Sequence, residues 1–158
     1  MKPRIPPPLV MLLAAAAMWA LDRWLPLGRL LPPPWNRLGA LPALAAVAFI
    51  APAMMRFRGA GTTVNPMDPG KASRLVTAGV FQVTRNPMYL GLLLLLLGWA
   101  LWLGSVTPWL VPPLFATFIT IAQIGPEEAA LDRLFGEEYR AYRHAVRRWI
   151  GRRALPRG

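Results

Sequence analysis

The chain has 158 residues, 55% of them apolar, a formal net charge of +11 and a mean hydropathy of +0.38. Apolarity on that scale points to membrane immersion, and cations segregated between long apolar segments exclude the single basic face of a nucleic-acid binder. With no Cys, a disulfide framework, thiol catalysis and a Cys-bound zinc site are excluded, and no metal site is expected.

Lys2 and Arg4 precede the first apolar run, at 9–25. The run has the length of a signal peptide, but Met18 and Trp19 make a poor small-residue cleavage site, so it reads as a retained anchor. Further runs follow at 41–55, 88–103 and 109–124. Each is shorter than the roughly 20 residues a straight span needs, and interfacial Trp24, Trp35, Trp102 and Trp109 are placed to complete them. The triple prolines at 6–8 and 32–34 read as stiff, extended flanks that stop helices. Gly91 and Gly98, seven apart, put small residues on one helix face for close packing within the chain.

The expected fold is all-α: a polytopic membrane bundle of about four spans with a cytoplasmic, amphipathic C-terminal helical segment. It forms a single domain over 1–158, with N-terminal spans in 1–60 and a binding core in 61–150. With four spans, fifteen of the 18 Lys and Arg residues fall on one side, so the positive-inside rule makes both termini and the middle loop cytoplasmic, as in an inner-membrane protein. Spans three and four then form a hairpin around 104–108, which brings the run Arg85-Asn86-Pro87-Met88-Tyr89 to the same face as Glu127-Glu128.

Asn86 suits an N-cap and Pro87 the first helical position, so the third span opens with backbone N–H groups facing the cytoplasm. With Arg85 beside it, such an end attracts a carboxylate or phosphate. The alternative is a simple cap with Arg85 at lipid headgroups. Five of the seven carboxylates, Glu127, Glu128, Asp132, Glu137 and Glu138, lie within twelve residues, their start marked by Gly125-Pro126. Asp132, Glu137 and Glu138 read as complements to a helix start or as solvated partners of Arg133, Arg140 and Arg143. Glu127 and Glu128, nearest the membrane, form a pair suited to an ammonium or to hydroxyls. Beyond them Leu131, Leu134, Phe135, Tyr139, Tyr142 and Val146 recur at helical spacing, giving an amphipathic or broken helix along the interface, with His144 an ordinary member of it.

Thr84-Arg85-Asn86-Pro87-Met88-Tyr89-Leu90-Gly91, then Glu127-Glu128, Leu131, Phe135-Gly136, Tyr139, Tyr142 and Val146-Arg147-Arg148, closely resembles the isoprenylcysteine carboxyl methyltransferase family and its phospholipid-methyltransferase relatives. The resemblance spans about 61–150 and includes the loop Gly61-Thr62-Thr63-Val64-Asn65-Pro66. It implies a polytopic membrane enzyme that uses S-adenosylmethionine. Arg85, Asn86, Pro87, Tyr89, Glu127, Glu128, Tyr139 and Tyr142 then match cofactor-binding positions, and Arg85 and Arg148 catalytic ones. Two departures stand out: Asn86 replaces a frequent His, though Asn still donates and accepts hydrogen bonds, and Arg147 replaces a frequent Pro.

The implied reaction is methyl transfer to a lipophilic small-molecule acceptor, an isoprenoid or isoprenylcysteine carboxylate or a membrane lipid, by a monomer or weak homo-oligomer. No residue stands out as a base, which favours an acid or an acceptor that is already nucleophilic. Two other readings remain open. One is a noncatalytic lipid-binding or assembly protein. The other is a reductase similar to membrane sterol reductases, whose NADPH would need phosphate-binding cations near the same helix end.

Overall fold

The structure, a computed structural model, describes residues 5–59 and 74–152. The loop 61–66 and the cations Lys2 and Arg4 lie outside the described residues. Within them the chain is all-helical apart from two isolated bridges, Arg29 to Ser105 and Val146 to Arg152. The long helices are α1 (Pro7–Trp24), α2 (Ala40–Gly59), α3 (Pro87–Leu103), α4 (Val111–Ile119) and α5 (Gly125–Ala145).

Prolines set several helix starts. Pro87 occupies the first position of α3, where its missing N–H would have no intrahelical partner anyway. At the N-terminus Pro7 and Pro8 lie inside the first turn of α1 and only Pro6 is extended, with φ −55° and ψ 128°. This corrects the expectation that all three prolines stand outside the helix. Proline is tolerated in a first turn for the same reason as Pro87.

A larger correction concerns the fourth span, which does not end at Gly125-Pro126. A 3-10 turn at Thr107–Leu110, α4, a π turn at Thr120–Ile124 and α5 follow one another as a single rod over Thr107–Ala145, 39 residues, interrupted only by a kink at Gly136. Pro126 brings no N–H and a ring that crowds the carbonyl four residues back; the wider π turn just before it accommodates both. Glu127 and Glu128 therefore lie inside a continuous helix, and Asp132 stands well beyond any helix start. At 1.5 Å per residue the part of the rod before the Gly136 kink is about 44 Å long, more than the roughly 30 Å of hydrocarbon, so its end and the segment beyond the kink would project from a membrane.

Among the described residues two helices are long and apolar enough to cross a membrane, Trp35–Arg56 and Thr107–Ala145, while α3 is apolar but shorter at 17 residues. Only 17% of the apolar window in the first of these is buried, unlike the core helix of a soluble protein. Leu9, Leu12, Leu13, Leu41, Leu44, Val47, Leu114 and Ile121 are exposed, an apolar surface more extensive than water tolerates on a monomer.

At one end of the bundle the chain turns are tied together. Leu30 and Leu31 N–H donate to the Gly104 carbonyl, Val106 N–H to Gly28, Thr107 Oγ1 to the Leu25 carbonyl at 2.8 Å, and Asn36 Nδ2 to Trp102 at 3.0 Å. Gly104 ends α3 at φ +79°, a left-handed conformation suited to glycine, and turns the chain into the α3–α4 hairpin. Trp24, Trp35 and Trp102 are exposed at this same end.

Between the ends, α3 packs closely on α2. A Cβ on Gly98 would stand 2.6 Å from the Gly39 carbonyl oxygen, and one on Gly91 would meet Ile50 and, at 3.2 Å, the Ala46 carbonyl. The two glycines thus serve helix contact within the chain. Met18, Leu96, Ala100, Phe115, Ile119 and Ile124 fill the core between α1, α3 and the rod.

Candidate functional site

At the opposite end, the hairpin brings the start of α3 against α5, and the residues after α5 fold back over both. The Arg85 guanidinium lies 2.9 Å from Glu128 Oε1, with side-chain exposures of 6% and 9%. Arg148 grips the same carboxylate with two nitrogens, Nε to Oε1 at 3.0 Å and Nη2 to Oε2 at 2.7 Å. Paired, charge-assisted contacts of this kind fix orientation as well as adding energy. Arg85 Nη1 also donates to Tyr139 Oη at 3.1 Å, and Tyr89 Oη donates to Glu127 Oε1 at 2.6 Å. All eight expected positions, with Arg148, thus gather at one end of the bundle.

Asn86 holds the N-cap position by backbone placement, but its side chain makes no capping bond. This corrects the expected cap. Its Nδ2 donates instead to the carbonyl of Arg148 at 3.0 Å, and Thr84 Oγ1 donates to that same carbonyl at 3.2 Å while accepting the Asn86 N–H at 3.1 Å. Arg85 N–H to Arg147 O and Gly151 N–H to Val83 O complete a strap formed by residues 146–152. Arg147, at the position where proline is frequent, donates its N–H to the Gly151 carbonyl at 2.8 Å; a proline there would lack that donor.

Tyr139 is 1% exposed and stacks edge-on against Tyr142, with centroids 6.4 Å apart. Tyr142 Oη donates to the Phe81 carbonyl at 2.7 Å, tying α5 to the turn before α3. Burial pushes both phenols above the usual tyrosine range; the Glu128 charge adds to this at Tyr139, and Arg85 opposes it at both. Hydrogen bonding to Glu128 raises the Arg148 guanidinium further still.

The helix in α5 breaks at Gly136, at φ +48° and ψ −120°. Among the described residues nothing lies within 4 Å of where a Cβ would stand, so the conformation and not crowding favours glycine. Asp132 and Glu137 both pair with Arg140 in solvent, at 3.0 and 2.7 Å, as expected of solvated partners. His144 is exposed. Among the described residues no group of three His, Asp or Glu could hold a metal ion.

Two further residues of this end carry little signal in the sequence. Thr84 is fully buried, and a small hydroxyl beside a motif does not stand out on its own. Gln123 is buried in the π turn, where a lone amide inside an apolar run was the available signal.

These helices, their apolar surfaces and a polar, arginine-clamped end define a helical, membrane-associated protein. The chain belongs to the phospholipid methyltransferase family, which residues 35–138 match. An uncharacterized protein of Haemophilus influenzae is 51% identical over 63 residues, which is 40% of this chain and the whole of that protein. No solved structure matches the chain. The family indicates methyl transfer to lipid-type substrates.

Proposed function

We propose that the chain transfers a methyl group from S-adenosylmethionine to a lipophilic acceptor at the cytoplasmic face of the inner membrane. In this reading α1, α2, α3 and the rod are four spans, both termini are cytoplasmic, and the chain acts as a monomer or weak homo-oligomer. The observation that carries it is the convergence of Arg85, Glu128 and Arg148 with a donor left over: Arg85 Nε is buried without a hydrogen-bond partner among the described residues. Such an atom costs about 1–3 kcal/mol unless a ligand satisfies it.

The residues fit the cofactor's groups. Its carboxylate would take Arg85 Nε and the amides at the start of α3, as anions do at helix N-termini. Glu127 would face its ammonium or ribose, with Tyr89 orienting the carboxylate of Glu127. The Tyr139 and Tyr142 rings offer apolar and cation-stabilising faces, worth about 0.5–2 kcal/mol each toward a cation. Asn86 and Arg148 would hold the strap against the start of α3, and Pro87 would set the helix start.

When bound, the sulfonium supplies an electrophilic methyl whose C–S bond breaks as the acceptor's lone pair forms the new bond, leaving a neutral thioether. The protein's part is orientation and exclusion of water. Both oxygens of Glu128 are held by arginines, so it serves as a positioning residue that keeps Arg85 and Arg148 aimed. The test is an assay in lipid with radiolabelled methyl donor, followed by extraction and identification of the labelled fraction. Label in a lipid fraction with wild type and none with Arg85→Ala supports the reading; no label in any fraction counts against it.

A further inference from the structure

The strap 146–152 is a tight hairpin: Val146 bridges Arg152, Arg147 N–H donates to the Gly151 carbonyl, and Gly151 turns the chain at φ +102°. Its tip is apolar. Trp149 lines a groove with Ala116, Thr117, Thr120 and Ile121, and Ile150 next to it is 58% exposed. These rod residues precede Glu128, and at 1.5 Å per residue the groove begins about 10 Å back along the rod from the arginine clamp, in its apolar half. Ile121 also belongs to the stripe Leu114, Phe118 and Ile121, exposed along one helical face, part of the surface too apolar for water. Arg147 and Arg152, both exposed, flank the tip. Among the described residues the N–H groups of Trp149 and Ile150 meet no backbone carbonyl, a state that water tolerates and hydrocarbon does not.

We propose that the bilayer surface is the partner of this tip: Trp149 and Ile150 seat at the water–lipid interface, with Arg147 and Arg152 at lipid phosphates, and the seated tip holds Arg148 on Glu128. Tryptophan favours that level of a membrane, and arginine reaches phosphate while its stem lies along apolar surface. Residue 148 stands between the tip and the protein, its carbonyl accepting from Thr84 and Asn86 and its guanidinium gripping Glu128. The strap is thus tied to α3 and the rod on one side and to lipid on the other, and lifting the tip into water loosens Arg148. Continuity of the tip with the exposed stripe of the rod favours lipid over a protein partner. The inference holds for any chemistry at Arg85 and Glu128.

Because the chain has no Cys, Ile150→Cys, Ile121→Cys and Arg143→Cys can each carry a single bimane fluorophore. The full-length proteins are reconstituted in vesicles of phosphatidylcholine and phosphatidylglycerol, with and without lipid bearing a nitroxide high on its acyl chain. Quenching at 150 should approach that at 121, on the lipid-facing stripe, and exceed that at 143 several-fold. Quenching at 150 no greater than at 143 overturns the bilayer assignment. Blue-shifted emission without quenching, growing with protein density, gives the tip to a second copy and overturns it as well. Hydrogen–deuterium exchange on unlabelled protein in the same vesicles tests the link to Arg148. Ile150→Asp should speed exchange across 146–152 several-fold with the helices unchanged, and Ile150→Leu should not. Unchanged exchange in Ile150→Asp, or equal acceleration in Ile150→Leu, overturns that link.

Discussion

Arg85 and Glu128, 43 positions apart, meet at 2.9 Å with both side chains more than nine-tenths buried. One precedes α3 and the other lies inside the rod, so this contact sets the relation of the two helices at the polar end. Arg148 joins it from the strap and is 39% exposed.

Glu128→Gln removes the charge that two guanidinium groups share and leaves Arg85 buried without it. Breaking a fully buried pair costs about 3–5 kcal/mol; with Arg148 partly in water, a loss of about 2–4 kcal/mol is expected. Denaturation in detergent micelles measures it, and unchanged stability would mean that the clamp contributes little.

Tyr142→Phe deletes the bond to the Phe81 carbonyl and should cost about 1 kcal/mol. Because the folded phenols of Tyr139 and Tyr142 titrate above the ordinary 10.0, their stabilisation is intact below pH 10. It is lost as pH rises from there toward the folded values, since the unfolded chain releases those protons first. Wild type should therefore melt at falling temperature above pH 10, and Tyr142→Phe should show a shallower decline. Equal slopes would contradict the burial of the Tyr142 phenol.

Gly98→Ala places a methyl 2.6 Å from the Gly39 carbonyl oxygen, a contact between backbones that no side-chain movement relieves. A loss of about 1–3 kcal/mol is expected, with α2 and α3 forced apart. A neutral substitution would show that the helices are not packed this closely.

The absence of Cys allows single cysteines to report topology. Residues introduced at Arg143 and at Leu27, both exposed and at opposite ends of the bundle, should label from opposite sides of a sealed membrane, Arg143 from the cytoplasm. Labelling from one side alone contradicts the four-span topology.

Much of this end was legible in the residues. Pro87 and Gly104 mark the ends of α3 by backbone rules that act locally, and alternation of apolar runs with cation-rich connections suffices to bring Arg85 and Glu128 to one end. Asn86 was legible as a helix start but not in its side chain, because its partner is a carbonyl 62 residues away. The continuity of α4 and α5 was hidden as well. Gly125-Pro126 reads as a stop, and only the π turn before it lets the helix run through. The bond from Gln123 to Ile5 spans 118 residues, beyond any local pattern.

The most direct measurement is a calorimetric titration of the purified full-length protein with S-adenosylmethionine and, separately, with NADPH. Saturable binding of S-adenosylmethionine that Arg85→Ala abolishes, with no heat from NADPH, is the predicted result. Silence toward S-adenosylmethionine, or binding of NADPH in its place, would contradict methyl transfer at the Arg85–Glu128–Arg148 end.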